Sequence, residues 1–257
     1  MKLEFIKMTA QGNDYVYIDK RKTALNGVDI KDLVIKLSDR HFGIGSDGVV
    51  FLHESSEADL MMEMYNADGS RGKMCGSALR SVIYLLSLEK KQQEYIVSTD
   101  SGLRKGWLIG EAGMVKVGMG KVMQYDQIED EDDFIYLVDV GNLHAVKIFD
   151  DMSELDLLAE IIRQESFLEK KAVNHEFVEI TGGDSICMKV HELGSGFTLA
   201  CGTGAVASAY TCRQEGLVRG DEIKVSMPGG EVTVSIDSEE IYLTGLVEEV
   251  FRGKIEI

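Results

Sequence analysis

Apolar and polar positions alternate near the start of the chain, where Leu3-Glu-Phe-Ile-Lys-Met8 predicts a β-strand. A loop at Ala10-Gln-Gly-Asn-Asp14 leads to a second predicted strand, Tyr15–Asp19. The period then lengthens. Ile30, Leu33, Val34 and Leu37 predict a helix over 29–39. A glycine-rich turn at Gly43–Gly48 precedes predicted strands at Val49–Leu52 and Asp59–Tyr65, the second ending in the turn Asn66-Ala-Asp-Gly-Ser70. Leu79, Val82, Ile83 and Leu86 fall on one helical face, so a helix is expected to begin beside Cys75-Gly76-Ser77. Two or three further strands are expected up to about Val117.

The second half repeats this plan. A strand is predicted at Ile135–Val140, a turn at Gly141-Asn-Leu-His144, and a helix across 153–167. Strands follow at Glu176–Ile180 and Ser185–His191, after which Cys201-Gly202-Thr203-Gly204 opens an apolar helix, Ala205–Cys212. Short strands, Ile223–Met227 among them, alternate with Pro228-Gly-Gly230 and later turns to the C-terminus. The acidic run Glu129-Asp-Glu-Asp-Asp133 is expected to be a solvated loop near a domain join. The expected class is α/β (α+β): two pseudo-symmetric lobes, each a mixed or antiparallel sheet wrapped around a central helix. The N-terminal lobe is placed at 1–117, completed by a C-terminal strand at 247–257, and the second lobe at 118–246.

Composition narrows the function. With 257 residues, 44% of them apolar and 28% charged, the chain can bury a substantial core. A net charge of -17 argues against nucleic acid and anionic lipid as partners. No apolar signal-peptide core occurs in residues 1–14, and the apolar stretch around Ser81–Leu88 is too short to span a bilayer. Four cysteines in such a chain are expected to be free thiols in a reducing cytoplasm.

Two of those cysteines share a setting. Cys75-Gly-Ser77 and Cys201-Gly-Thr203 lie about half the chain apart, and each precedes a helix. A thiol at a helix N-terminus faces unpaired N–H groups and the positive end of the macrodipole, which lower its pKa. The same N–H groups can bind a carboxylate and stabilise charge that develops on it. Inversion of a carbon needs a base and an acid on opposite faces, and two such cysteines meet that need. Cys187, in a predicted strand, and Cys212, late in a helix, are assigned to packing.

Motifs spread along the whole chain resemble those of the diaminopimelate epimerase family. They include Phe5-Ile-Lys-Met8, Gly12-Asn-Asp-Tyr-Val16, Asp39-Arg-His-Phe-Gly-Ile-Gly45 with Asp47-Gly48, Tyr65-Asn-Ala-Asp-Gly-Ser70 and Met74-Cys-Gly76. Further on come Gly141-Asn142 with His144, Asn174 before Phe177-Val-Glu179, and Val190-His-Glu192. Thr198-Leu-Ala-Cys-Gly-Thr-Gly-Ala205, Pro228-Gly-Gly230 and Leu243-Thr-Gly245 complete the series. The resemblance implies racemisation of a small-molecule amino acid without pyridoxal phosphate, other cofactor or metal, by a homodimeric enzyme of lysine biosynthesis. It implies Cys75 and Cys201 as the catalytic acid/base pair, with His144 and Glu192 setting their protonation. It also implies substrate-binding roles for Asn13, Asn66, Asn142 and Asn174, and carboxylate-binding helix starts at Gly76, Gly202 and Thr203, with Ser77 and Leu193 expected at the substrate as departures from the pattern.

The chain departs from the family pattern at several points. Leu193 stands where the family carries an arginine that clamps the substrate's distal carboxylate, and leucine cannot make that fork. Gly76-Ser77-Ala78 replaces Gly-Asn-Gly, and Leu143 and Leu246 replace prolines. Diaminopimelate and an amino acid without a distal carboxylate, such as histidine, therefore both stand as substrates. Three rivals are weaker. Gly43–Gly48 and Gly202–Ala207 match dinucleotide-binding glycine patterns in the wrong context. No C-x₂-C pair or histidine cluster suggests zinc. A non-catalytic amino-acid-binding protein of the same fold is the third.

Overall fold

A computed structural model of the chain describes residues 2–110, 113–130, 133–168 and 171–257. The chain forms two compact units, residues 1–117 with 245–257, and residues 118–244. The first unit is built from β1 (Lys2–Ala10), β2 (Asn13–Asp19), α1 (Ile30–Ser38), β3 (Gly48–His53), β4 (Leu60–Asn66), β5 (Arg71–Gly72), α2 (Gly76–Glu89), β6 (Tyr95–Thr99), β7 (Gly102–Ile109) and β8 (Met114–Gly120). Strand β1 pairs antiparallel with β2, β2 parallel with β3, and β3 antiparallel with β4. Strand β4 then takes β5 antiparallel and β6 parallel, and β6 pairs antiparallel with β7.

The second unit uses β9 (Gln124–Asp130), β10 (Asp133–Asp139), β11 (Leu143–Phe149), α3 (Leu157–Phe167), β12 (Asn174–Gly182), β13 (Ser185–Glu192), β14 (Gly196–Thr198), α4 (Gly202–Gln214), β15 (Glu222–Met227), β16 (Gly230–Ile236) and β17 (Ile241–Leu246). Here β10 pairs antiparallel with β11, β11 parallel with β12, and β12 antiparallel with β13. Strand β13 takes β14 antiparallel and β15 parallel, and β15 pairs antiparallel with β16. The order of senses is the same in both units. The last strand, β18 (Glu248–Glu256), returns to the first unit and pairs antiparallel with β1, as β9 does with β10. One α+β plan is thus used twice.

Each unit wraps its sheet around one helix. Residues Gly76 to Ile83 of α2 are buried without interruption, and the helix packs against β1, β2, β6 and β7. Its apolar residues are enclosed by strands, and Ser77, Arg80 and Ser81 are buried with them. Helix α4 packs against strands β10 to β13, β15 and β16, and its small residues Ala205, Ala207, Ser208 and Ala209 let those strands approach closely. By contrast α1 buries only one stripe, Leu33, Val34 and Leu37, and caps its N-terminus with the Asp29 carboxylate on the Asp32 N–H. The Asp156 carboxylate, accepting from Leu158 and Ala159, starts α3 at Leu157, later than periodicity alone suggested.

Two local expectations are corrected. Glu129, Asp130 and Asp133 lie in strands β9 and β10 and not in a loop, while Glu131 and Asp132 fall outside the described residues. Asp130 is buried because Lys147 and Arg163 both ion-pair with it, which replaces the hydration it gives up. His144 belongs to strand β11, not to the turn before it, and its side chain is fully buried. Among the described residues no helix is long and apolar enough to cross a membrane.

Candidate active site

Cys75 and Cys201 occupy the same backbone position in their units. Each is the N-cap of the enclosed helix, with φ -131° and ψ 127° at Cys75 and φ -136° and ψ 116° at Cys201. Register extends the equivalence. Tyr15 lies opposite Gly48 across β2 and β3, as His144 lies opposite Asn174 across β11 and β12. Gly48 faces Asn66, and His175 faces His191, which places Asn174 level with Glu192. Gly12-Asn-Asp-Tyr15 therefore corresponds to Gly141-Asn-Leu-His144, a second repeat besides the cysteines. Both glycines have positive φ, 83° and 110°, a backbone conformation costly for other residues.

In the first unit Cys75 is half-buried and its side chain caps no helix N–H. Gly76 and Ser77 are buried in the first turn, and Asn13 Nδ2 donates to Ser77 Oγ at 3.3 Å. The buried Tyr15 hydroxyl hydrogen-bonds the Cys75 sulfur, and burial followed by the charge at Cys75 pushes this phenol well above its ordinary value. Arg80, one turn into α2, is 1% exposed; it donates to Gln11 Oε1, while its Nε and Nη1 have no partner among the described residues. Burial pushes this guanidinium down to about 10, against the supporting charge at Cys75. Asn66 is exposed and turned onto its own loop, donating to Ser70 Oγ at 3.0 Å.

The second unit surrounds its cysteine with carboxylates. Cys201 is 5% exposed, accepts from the Gly204 N–H at 3.4 Å, and lies 3.4 Å from Thr203 Oγ1. Gly202 is buried in the first turn of α4. Burial pushes the Cys201 thiol well above its ordinary value, and the charges of Glu192 and Glu176 push the same way. The Thr203 and Gly204 hydrogen bonds only partly offset this. The expectation that a helix start lowers the thiol pKa is thus overturned at Cys201. Loss of hydration outweighs the local dipole.

Glu192, at the end of β13, accepts a hydrogen bond from the Thr198 hydroxyl. Asn174 turns its amide onto the backbone, with Oδ1 accepting from the Leu193 N–H at 3.0 Å and Nδ2 donating to the Leu143 carbonyl at 3.4 Å. Leu193 itself is 62% exposed, and Asn142 is exposed in the turn before β11. His144 Nδ1 lies 2.6 Å from Glu176 Oε1, with both side chains fully buried. Sequence reasoning passed over Glu176, as it did Tyr15 and Arg80. The available signal was a lone carboxylate inside the run Asn174-His-Glu-Phe-Val178, which is buried at every position.

Among the described residues no cluster of potential metal ligands occurs. The strands on either side of Gly202–Ala207, β14 and β15, pair with β13 in opposite senses, so this is no dinucleotide-binding βαβ unit. The fold is shared with solved structures of other proteins. A hydroxyproline epimerase from Agrobacterium vitis superposes with a TM-score of 0.70 at 16% identity, covering 99% of this chain and 92% of that one. A Bacillus anthracis phenazine biosynthesis protein of the PhzF family gives a TM-score of 0.75 at 15% identity over 100% of both chains. The family is then fixed by sequence. The model described as diaminopimelate epimerase matches residues 5–124 and 136–250. The diaminopimelate epimerase of Leptospira biflexa is 35% identical over 287 aligned residues, covering 100% of both chains. That of Bacteroides thetaiotaomicron is 36% identical over 267, covering 99% of this chain and 98% of the relative. The chain belongs to the diaminopimelate epimerase family and is an isomerase.

Proposed function

We propose that this chain interconverts LL- and meso-diaminopimelate by moving one α-proton between Cys75 and Cys201. The observation that carries the reading is the matched pair of N-cap cysteines, one at the equivalent point of each unit. The N–H groups that open α2 and α4, from Gly76 and Ser77 and from Gly202 and Thr203, bind the α-carboxylate and stabilise charge that spreads onto it. The environment of Cys201 favours the protonated thiol. Cys201 therefore enters as the proton donor, and the roles of the two cysteines exchange in the reverse direction. His144 and Glu192 set the protonation of the thiols, and the asparagines at 13, 66, 142 and 174 orient the substrate.

Recognition of the distal carboxylate proceeds without an arginine at 193, where Leu193 lies exposed beside Gly194. The test is α-deuterium incorporation from D₂O, with stereochemical analysis, on diaminopimelate, lysine and histidine. Inversion of diaminopimelate with rapid exchange is expected. Inversion confined to histidine or lysine would replace the substrate, and no exchange on any of the three would overturn the reading. The same reading makes the protein a cytoplasmic homodimer with its four cysteines free; light scattering at one subunit mass would remove the dimer.

A further inference from the structure

Among the described residues, few buried side-chain atoms lack a hydrogen-bond partner, and His144 Nε2 and Glu176 Oε2 are two of them. They belong to one pair, joined through Nδ1 and Oε1 at 2.6 Å and closed to water, since both side chains are fully buried. The pair lies against the helix start that carries Cys201. A Cβ at Gly204 would stand 2.7 Å from Glu176 Oε1 and 3.3 Å from the Cβ of Cys201. A side chain at position 204 would therefore require the Glu176 carboxylate to shift.

We propose that Glu176 is a positioning residue that holds His144 with its proton on Nδ1, leaving Nε2 a bare acceptor for the proton of a catalytic thiol. The inference rests on the two-thiol reading above. A carboxylate on one ring nitrogen fixes tautomer and orientation and raises the basicity of the other. The charged and titratable groups acting on the pair are Glu192, on β13, and Cys201, at the start of α4. Burial raises the Glu176 carboxyl above its ordinary value and Glu192 pushes the same way, while the contact with His144 only partly offsets this. When Nε2 takes the proton, the S–H bond breaks and an N–H bond forms. Sulfur is left as thiolate, and the imidazolium is balanced by the Glu176 carboxylate. Nothing is oxidised or reduced.

The primary test reads the wild-type protein directly. Two-bond ¹⁵N–¹H spectra of ¹⁵N-histidine-labelled enzyme should show His144 with a protonated Nδ1 and a pyridine-type Nε2 at neutral and mildly alkaline pH. Glu176→Gln should then lower kcat about 10- to 100-fold with KM unchanged, as expected for the removal of a group that supports a functional histidine. It should also move the acidic limb of kcat/KM to lower pH by about half a unit or more, because the carboxylate that favours the imidazolium is gone. A wild-type His144 protonated on Nε2 overturns the proposal, whether or not the variant folds. So does a folded Glu176→Gln enzyme with wild-type kcat and an unmoved limb. Wild-type enzyme that exchanges no α-proton would sink the two-thiol reading alone, while the tautomer would still decide what Glu176 does to His144.

Discussion

The two units share one chain path yet place different charged groups near their cysteines, an arginine in the first and two glutamates in the second. Position 80 in the first is a buried arginine, and the equivalent position in the second, 206, is a buried valine. Register makes Val50 and Glu176 equivalents, so a buried carboxylate in the second unit answers a buried valine in the first. Tyr15, a neutral hydroxyl donor, occupies the place that His144 takes opposite. The two units thus share the helix start, which offers the same N–H groups twice. The side chains around it diverged. Inversion needs one thiol protonated and the other ionised at the same moment, and unequal surroundings bias which of the two holds the proton.

The largest test of this contrast removes a thiol. Cys75→Ala and Cys201→Ala should each cost at least about 10³-fold in inversion of diaminopimelate, the weight of a missing general acid or base. Stereospecific assay in both directions checks this, and either variant inverting at near wild-type rate would refute two-thiol catalysis.

Position 204 offers a smaller, cleaner comparison with position 78, where the first unit carries alanine. In an exposed helix Gly→Ala stabilises by about 1 kcal/mol. Gly204→Ala should instead destabilise by about 1–3 kcal/mol, because the added Cβ meets a carboxylate oxygen pinned by His144. In a Glu176→Val background, which copies the first unit, the same substitution should become neutral or stabilising. Denaturant titration of the double-mutant cycle measures the coupling, and additive effects would show that the two positions do not interact.

The raised thiol at Cys201 sets a pH dependence. Its folded-state value lies above its unfolded one, so the unfolded chain releases this proton first. The stability it contributes is whole below about pH 8.5 and falls above that at about 1.4 kcal/mol per pH unit. Cys201→Ala should flatten the alkaline loss by that slope in urea melts across pH 8–10, and an unchanged slope would contradict the burial argument. The smallest effect is expected at Tyr15→Phe, which removes one hydroxyl donor from the Cys75 sulfur. A loss of about 1 kcal/mol in transition-state stabilisation is expected, visible as a several-fold fall in kcat/KM.

Much of this architecture is local in origin and was legible in the residues themselves. The spacing of Leu33, Val34 and Leu37 placed α1, the spacing of Leu79, Val82, Ile83 and Leu86 placed α2, and Cys-Gly-Ser and Cys-Gly-Thr marked two helix starts. Such signals survive in sequence because helix periodicity and capping involve residues only three or four positions apart. Strand β9 was not legible, because its run Gln124–Asp130 is mostly polar and exposed and borrows its structure from β10.

Other features were decided only by pairing across long loops. Glu176 meets His144 because β11 and β12 run parallel, and their register brings together side chains 32 positions apart. Periodicity in either strand says nothing of that partner. The protonation tendency of Cys201 was likewise decided in three dimensions. Its helix dipole is fixed by the local sequence, but the burial and the two carboxylates that outweigh it come from β12, β13 and the folded core. Local chemistry wrote the helix starts; desolvation, which exists only once the chain has closed around it, pushed the Cys201 thiol toward its protonated form.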